Sequence, residues 1–120
     1  MPRPTILVVD DDDALRDELC DLLTEHGFEA LPALNGEEAL RVLRARRDIR
    51  AIISDVGMPV MNGATFRGTQ LADEDIAAVP LIVLTGRDDI AALALAMKPA
   101  AFLRKPFAVD ELLRVLDPYR

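Results

Sequence analysis

The stretch Ile6-Leu7-Val8-Val9-Asp10-Asp11-Asp12-Asp13 passes within eight residues from an unbroken apolar run to four consecutive carboxylates. A short run of Ile, Leu and Val, apolar on both faces, reads as a strand buried on both sides, the mark of a parallel sheet. The charge that follows marks where the strand leaves the core. Working outward, similar runs recur at residues 51–53, 81–84 and 101–103, with a further short one at 28–31 that ends at Pro32. Helical character follows each of them. Leu15, Leu19, Leu22, Leu23 and His26 keep helical spacing up to Gly27, a good left-handed C-terminal cap. Asn35-Gly36-Glu37-Glu38 resembles a capping box that opens a second helix with Leu40 and Leu43 inward. A third helix follows Asn62-Gly63; its Phe66 and Leu71 are five apart and Gly68 lowers its propensity, so its periodicity is the weakest. Residues 88–97 are apolar nearly all round, and Val109, Leu112, Leu113 and Leu116 hold one face of a last helix.

Five strands alternating with five helices predict an α/β fold: a doubly wound, five-stranded parallel sheet with five flanking helices and right-handed crossovers. The flavodoxin-like strand order 2-1-3-4-5 puts strand two at an edge. Residues 1–120 read as one domain without repeat, linker or low-complexity stretch, and no effector domain is expected after Arg120.

Composition narrows the class. Of the 120 residues 51% are apolar, enough to fill one core. The 21 acidic and 14 basic side chains leave a formal charge of −7. The excess is local, since residues 1–25 hold Asp10, Asp11, Asp12, Asp13, Asp17, Glu18, Asp21 and Glu25 against Arg3 and Arg16. An acidic chain with no Trp, one Tyr and four Phe has neither a phosphate-neutralising stripe nor a stacking platform, so direct binding of DNA or RNA is not expected. The single cysteine, Cys20, excludes an intramolecular disulfide and a Cys-based zinc site, and points to the reducing cytoplasm. No apolar run approaches the ~18 residues that span a bilayer, and no signal-peptide core follows Met1, so no membrane association is expected.

In a parallel sheet all strand C-termini lie along one edge, so the residue after each apolar run is a candidate for a shared site. Those residues are Asp10, Asp55, Thr85 and Lys105. Strand two, ending in Leu31-Pro32, adds nothing. Asp10, Asp11 and Asp55 brought close together would repel one another unless a cation sat among them, and oxygen ligands suit the hard ion Mg²⁺. A carboxylate beside Mg²⁺, an ammonium and a hydroxyl is the equipment for taking a phosphoryl group onto an aspartate. Lys105 would neutralise phosphoryl oxygens while Thr85 donates a hydrogen bond to one of them. The acidic turn Asp10-Asp11-Asp12-Asp13 would repel a nucleotide's phosphates, so a nucleotide site there is not expected.

These residues resemble the receiver domain of two-component response regulators. The resemblance runs over essentially the whole chain: Ile6-Leu7-Val8-Val9-Asp10-Asp11, then Ser54-Asp55 followed by Met58-Pro59 and Asn62-Gly63, then Thr85-Gly86, then Lys105-Pro106-Phe107. It implies Asp55 as phosphoacceptor, Asp11, Asp55 and the Gly57 carbonyl as Mg²⁺ ligands, and Asp10 as a ligand acting through water. It also implies a cis bond between Lys105 and Pro106, and a switch in which Thr85 moves toward the phosphoryl group and Phe102 rotates. Gly57 and Arg87 stand where the family borders the path of the water that hydrolyses the aspartyl phosphate, so they would tune its lifetime. Lys98-Pro99-Ala100-Ala101 replaces the family's usual Gly-Ala turn into strand five, and the Thr85 to Lys105 separation is short, so the fourth helix or its exit is trimmed.

The leading expectation is therefore a phosphoacceptor switch. It would take its phosphoryl group from a histidine kinase or histidine phosphotransfer protein and alter a partner-binding face made by helix four, strand five and helix five. It would act as a monomer or a phosphorylation-dependent dimer, catalysing only its own phosphorylation and dephosphorylation. An aspartate-dependent phosphatase of the haloacid dehalogenase type is the enzymatic alternative, although Gly57 stands where those enzymes carry a second Asp. A degenerate receiver serving as a constitutive interaction module is the third. Among the remaining features, Asp12 and Asp13 read as caps of the first helix, and Arg41, Arg44, Arg46, Arg47 and Arg50 read as a solvated basic face.

Overall fold

The computed structural model describes residues 3–55, 63–86 and 97–120. The elements run β1 (Thr5–Val9), α1 (Asp13–Glu25), β2 (Glu29–Ala33), α2 (Gly36–Ala45), β3 (Ile49–Asp55), α3 (Gly63–Ala72), β4 (Leu81–Thr85), β5 (Ala101–Arg104) and α4 (Val109–Leu116), closed by a short 3₁₀ turn at Asp117–Tyr119. All strand pairs are parallel, in the order β2-β1-β3-β4-β5. The sheet is the expected one. Four helices stand among the described residues, and the helix expected at 88–97 falls outside them except for its last residue, Met97.

Successive strand residues face opposite sides of the sheet, and the two sides build separate cores. Leu7, Val9, Ile52, Leu81 and Val83 pack with Ala39, Leu40 and Leu43 of α2 and Phe66 of α3. Ile6, Val8, Ile53, Ile82 and Leu84 pack with Leu19 and Leu23 of α1 and Leu112 and Leu116 of α4. Both faces of β1 are covered, and all five of its residues are buried.

The helix ends follow the local chemistry. Asp12 Oδ1 accepts the Leu15 N–H at 3.2 Å and so caps α1, while Gly27 leaves that helix with φ of 91°. Asn35 Oδ1 accepts the Glu38 N–H at 2.9 Å, and Glu38 returns its carboxylate to the Leu34 N–H, one residue before the cap.

Three features depart from the sequence expectation. β2 does not stop at Pro32 but runs on to Ala33, with Pro32 opposite Val8. An edge strand has one unpaired side, and there a proline is tolerated. β3 starts at Ile49 rather than Ala51, and a register shift leaves Arg50 between Thr5↔Ile49 and Ile6↔Ala51. That polar bulge residue hid the first turn of the strand.

The third departure is α3. Its Leu71 is 39% exposed, whereas Arg67 and Gln70 are buried. Arg67 donates to the carbonyls of Met97, Lys98 and Val79 and to Gln70 Oε1, at 2.7 to 3.3 Å. Gln70 Nε2 in turn donates to the carbonyls of Ile76 and Val79. This helix is held by a polar network, which is why its apolar spacing was weak. Burial pulls the Arg67 guanidinium below its ordinary pKa.

The arginine-rich end of α2 is not an open basic surface. Arg44 pairs with Asp73, Arg46 with Asp48 and Glu29, Arg47 with Asp75, and Arg41 with Glu37. Arg50 donates to the carbonyl of Arg120. Exposed pairs of this kind add little stability one by one; those of Arg44 and Arg47 reach across to the connection between α3 and β4.

Candidate functional site

The parallel sheet brings the ends of β1, β3, β4 and β5 to one edge, with β1, β3 and β4 side by side. Asp10 follows β1 and Asp55 closes β3. Carboxylate oxygens of Asp10, Asp11 and Asp55 all lie within 4.8 Å of one another. They differ in exposure: Asp10 is buried, Asp55 half-buried and Asp11 open to solvent. Lys105, one residue past β5, places Nζ 3.6 Å from Asp10 Oδ2 and 3.8 Å from Asp55 Oδ2. The Lys105–Pro106 bond is cis.

Among the described residues, three carboxylates face one ammonium at this edge, an excess of negative charge. Asp10 carries the clearest sign of it. Its Oδ1 accepts the Asp12 N–H at 2.9 Å, whereas Oδ2 is buried and accepts no hydrogen bond. Burial raises the Asp10 pKa; the Asp12 N–H and the Lys105 charge work against that, and Asp55 and Asp11 add to it. A buried, unsatisfied oxygen in an all-oxygen donor set fits a hard divalent cation, so Asp10, Asp11 and Asp55 form an acidic triad that could hold a metal.

The other expected residues stand as follows. Thr85 ends β4 opposite Arg104, and its side chain lies outside the described part. Phe102 sits within β5 opposite Val83 and is 38% exposed. Gly57 and Arg87 fall outside the described residues, as do Met58, Pro59 and Asn62.

Two features of the site went unread in the sequence. Arg16 donates through Nη1 to the Asp10 carbonyl at 2.8 Å and through Nη2 to Asp13 Oδ1 at 2.6 Å. Its one signal was its place as a base among the acids of residues 1–25. An apolar groove also runs beside the acidic cluster, between α1 and the turn that follows β5. Leu15, Leu19, Leu22, Phe107 and Val109 line it, together with Pro106 and the charged Glu18 and Lys105. The leucines were legible as a helix stripe; Leu15 and Leu22 pack against the core yet stay half-buried.

Known proteins show the same pattern. Residues 6–117 match the response regulator receiver domain. Response regulator MprA of Mycolicibacterium vanbaalenii is 37% identical over 111 residues, which are 90% of this chain and 46% of that protein, so the chain spans about half the length of this relative. A response regulator receiver protein from Pseudomonas putida superposes with a TM-score of 0.88 at 31% identity, covering 98% of both chains. The receiver domain of the sensor histidine kinase PA1611 from Pseudomonas aeruginosa superposes with a TM-score of 0.87 at 26% identity over 99% of this chain and 98% of that one, and its structure holds a magnesium ion in the active site cleft. With the sheet order, the acidic triad and the lysine at the same edge, this match over residues 6–117 makes the chain a member of the response regulator receiver family.

Proposed function

We propose that the protein is a phosphoacceptor switch in which Asp55 receives a phosphoryl group from a phosphohistidine. The observation that carries this reading is Asp55 within 4.8 Å of Asp10 and Asp11, with the Lys105 ammonium between Asp10 and Asp55. An Asp55 carboxylate oxygen attacks phosphorus, the P–N bond to the donor imidazole breaks, and the imidazole leaves with its electron pair and takes up a proton. Lys105, already 3.8 Å from Asp55 Oδ2, follows the negative charge onto the phosphoryl oxygens. Thr85, at the end of neighbouring β4, supplies the hydroxyl for one of those oxygens. By family membership Mg²⁺ would be held by Asp11, Asp55 and the Gly57 carbonyl, with Asp10 acting through water. When bound, Mg²⁺ supplies the counter-charge that lets a carboxylate meet an anionic donor.

The donor is a histidine kinase or a histidine phosphotransfer protein. The apolar groove supports a protein donor, because it offers a surface for packing that shares Lys105 with the acidic cluster. The output runs through β5, α4 and residues 88–96, with Thr85 and Phe102 as the switch, and the exposure of Phe102 supports this reading by leaving its ring room to move. Gly57 and Arg87 set the lifetime of the phosphoryl group. Membership of the receiver family favours this function over an aspartate-dependent phosphatase.

The test is an NMR titration with Mg²⁺ and beryllofluoride, which mimics a phosphoryl group on a carboxylate. Amide shifts should move around Asp55 and then at Ala101–Arg104, and Asp55→Asn should abolish both. Movement at Asp55 with none at Phe102 would contradict the switch, and an unaltered response in Asp55→Asn would contradict the acceptor.

A further inference from the structure

Four consecutive acids follow β1, and only Asp10 and Asp11 join Asp55. The other two have local work. Asp12 caps α1 through Leu15, and Asp13 pairs with Arg16. Arg16 also reaches back to the first acid, donating through Nη1 to the Asp10 carbonyl at 2.8 Å. Its side chain is only 14% exposed. The guanidinium fork therefore spans the acidic turn, with one prong on the carbonyl of Asp10 and the other on the carboxylate of Asp13. Because the peptide unit is planar, holding that carbonyl orients the whole link between Asp10 and Asp11, and with it the directions in which both side chains leave the backbone. A lysine ammonium carries the same charge but lacks the planar fork.

We propose that Arg16 is a positioning residue for the divalent-cation site: it clamps the Asp10 carbonyl and draws Asp13 aside, so that Asp10 and Asp11 are the acids of this turn presented to Asp55. The proposal rests on the reading that this cluster holds Mg²⁺, and it predicts a sign opposite to that of simple electrostatics. A positive side chain acting by charge alone opposes a nearby cation, so its removal would tighten binding. Acting by position, its loss loosens binding, and partners that orient metal ligands from behind are worth about tenfold or more in affinity.

Mg²⁺ is titrated at fixed ionic strength against wild type, Arg16→Lys and Arg16→Met, following the amides of residues 10–13, with thermal unfolding of each variant recorded alongside. Arg16→Lys, which keeps the charge and loses the fork, should bind about tenfold more weakly. Arg16→Lys at wild-type affinity would overturn the proposal, as would an Arg16→Met that binds more tightly than wild type. Should Arg16→Met not fold, the Arg16→Lys comparison decides alone. A wild type whose Asp10 and Asp11 amides ignore Mg²⁺ would overturn the metal reading and this proposal with it, a result distinct from failure of the variants to differ.

Discussion

Asp10 sits where its charge is least welcome: buried, with one oxygen accepting no hydrogen bond and two other carboxylates close by. Its raised pKa means that the folded state holds this proton more tightly than the unfolded chain does. Stability from this group is thus fully present at low pH and declines as pH rises from the ordinary carboxylate range through the raised folded value. Asp10→Asn should accordingly stabilise the metal-free protein at pH 7 by about 1 kcal/mol, as removal of functional strain commonly does, and flatten that part of the pH profile. Urea unfolding of both forms at pH 4 and pH 7 checks it, and a destabilised Asp10→Asn at pH 7 would mean that its pairing with Lys105 outweighs its burial. Asp10, Asp55 and Lys105 were legible in the sequence because every strand end of a parallel sheet arrives at one edge. Arg16 was not, because the contact that ties it to the site is with the Asp10 backbone carbonyl, and no spacing of side chains announces that.

At the scale of elements, a segment was legible where apolar period set the structure and hidden where polar contacts did. β1, α1 and α4 follow their apolar stripes. Pro32 and Arg50 obscured strand ends because an edge and a bulge tolerate residues that a central ladder refuses. α3 was the least legible because its inner face is Phe66 with Arg67 and Gln70. Arg67 holds the carbonyls of Met97 and Lys98, and Lys98 has a φ of 53°, a left-handed conformation uncommon for a residue with a side chain. Arg67→Met strands these buried acceptors and should destabilise the fold by about 2 kcal/mol. A variant as stable as wild type in urea would show that the carbonyls find other donors. Gly27 gives a cleaner case: at φ of 91° an added Cβ would meet nothing closer than 3.8 Å, so Gly27→Ala carries only the backbone penalty, about 1 kcal/mol. A much larger loss of stability would point to a steric clash instead.

For the whole molecule, the parallel sheet that follows from alternating strands and helices, wound in the order β2-β1-β3-β4-β5, is also what gathers an acidic cluster on one edge. The molecule should therefore be stabilised by the ion it takes up. At a Mg²⁺ concentration ten times Kd the gain is about 1.4 kcal/mol, seen as a rise in Tm, and Asp11→Ala should lose it. An equal rise in Asp11→Ala would place the ion elsewhere. The parallel sheet and its acidic edge were readable from the strand ends, and the strand order came from the common flavodoxin-like winding; the groove beside Lys105 was not readable, because it arises only where α1 meets the turn after β5. The central claim is that Asp55 takes a phosphoryl group, and intact-mass measurement after incubation with Mg²⁺ and acetyl phosphate tests it most directly. Wild type should gain the mass of one phosphoryl group and Asp55→Asn none; an unmodified wild type, or an equal gain in Asp55→Asn, would contradict it.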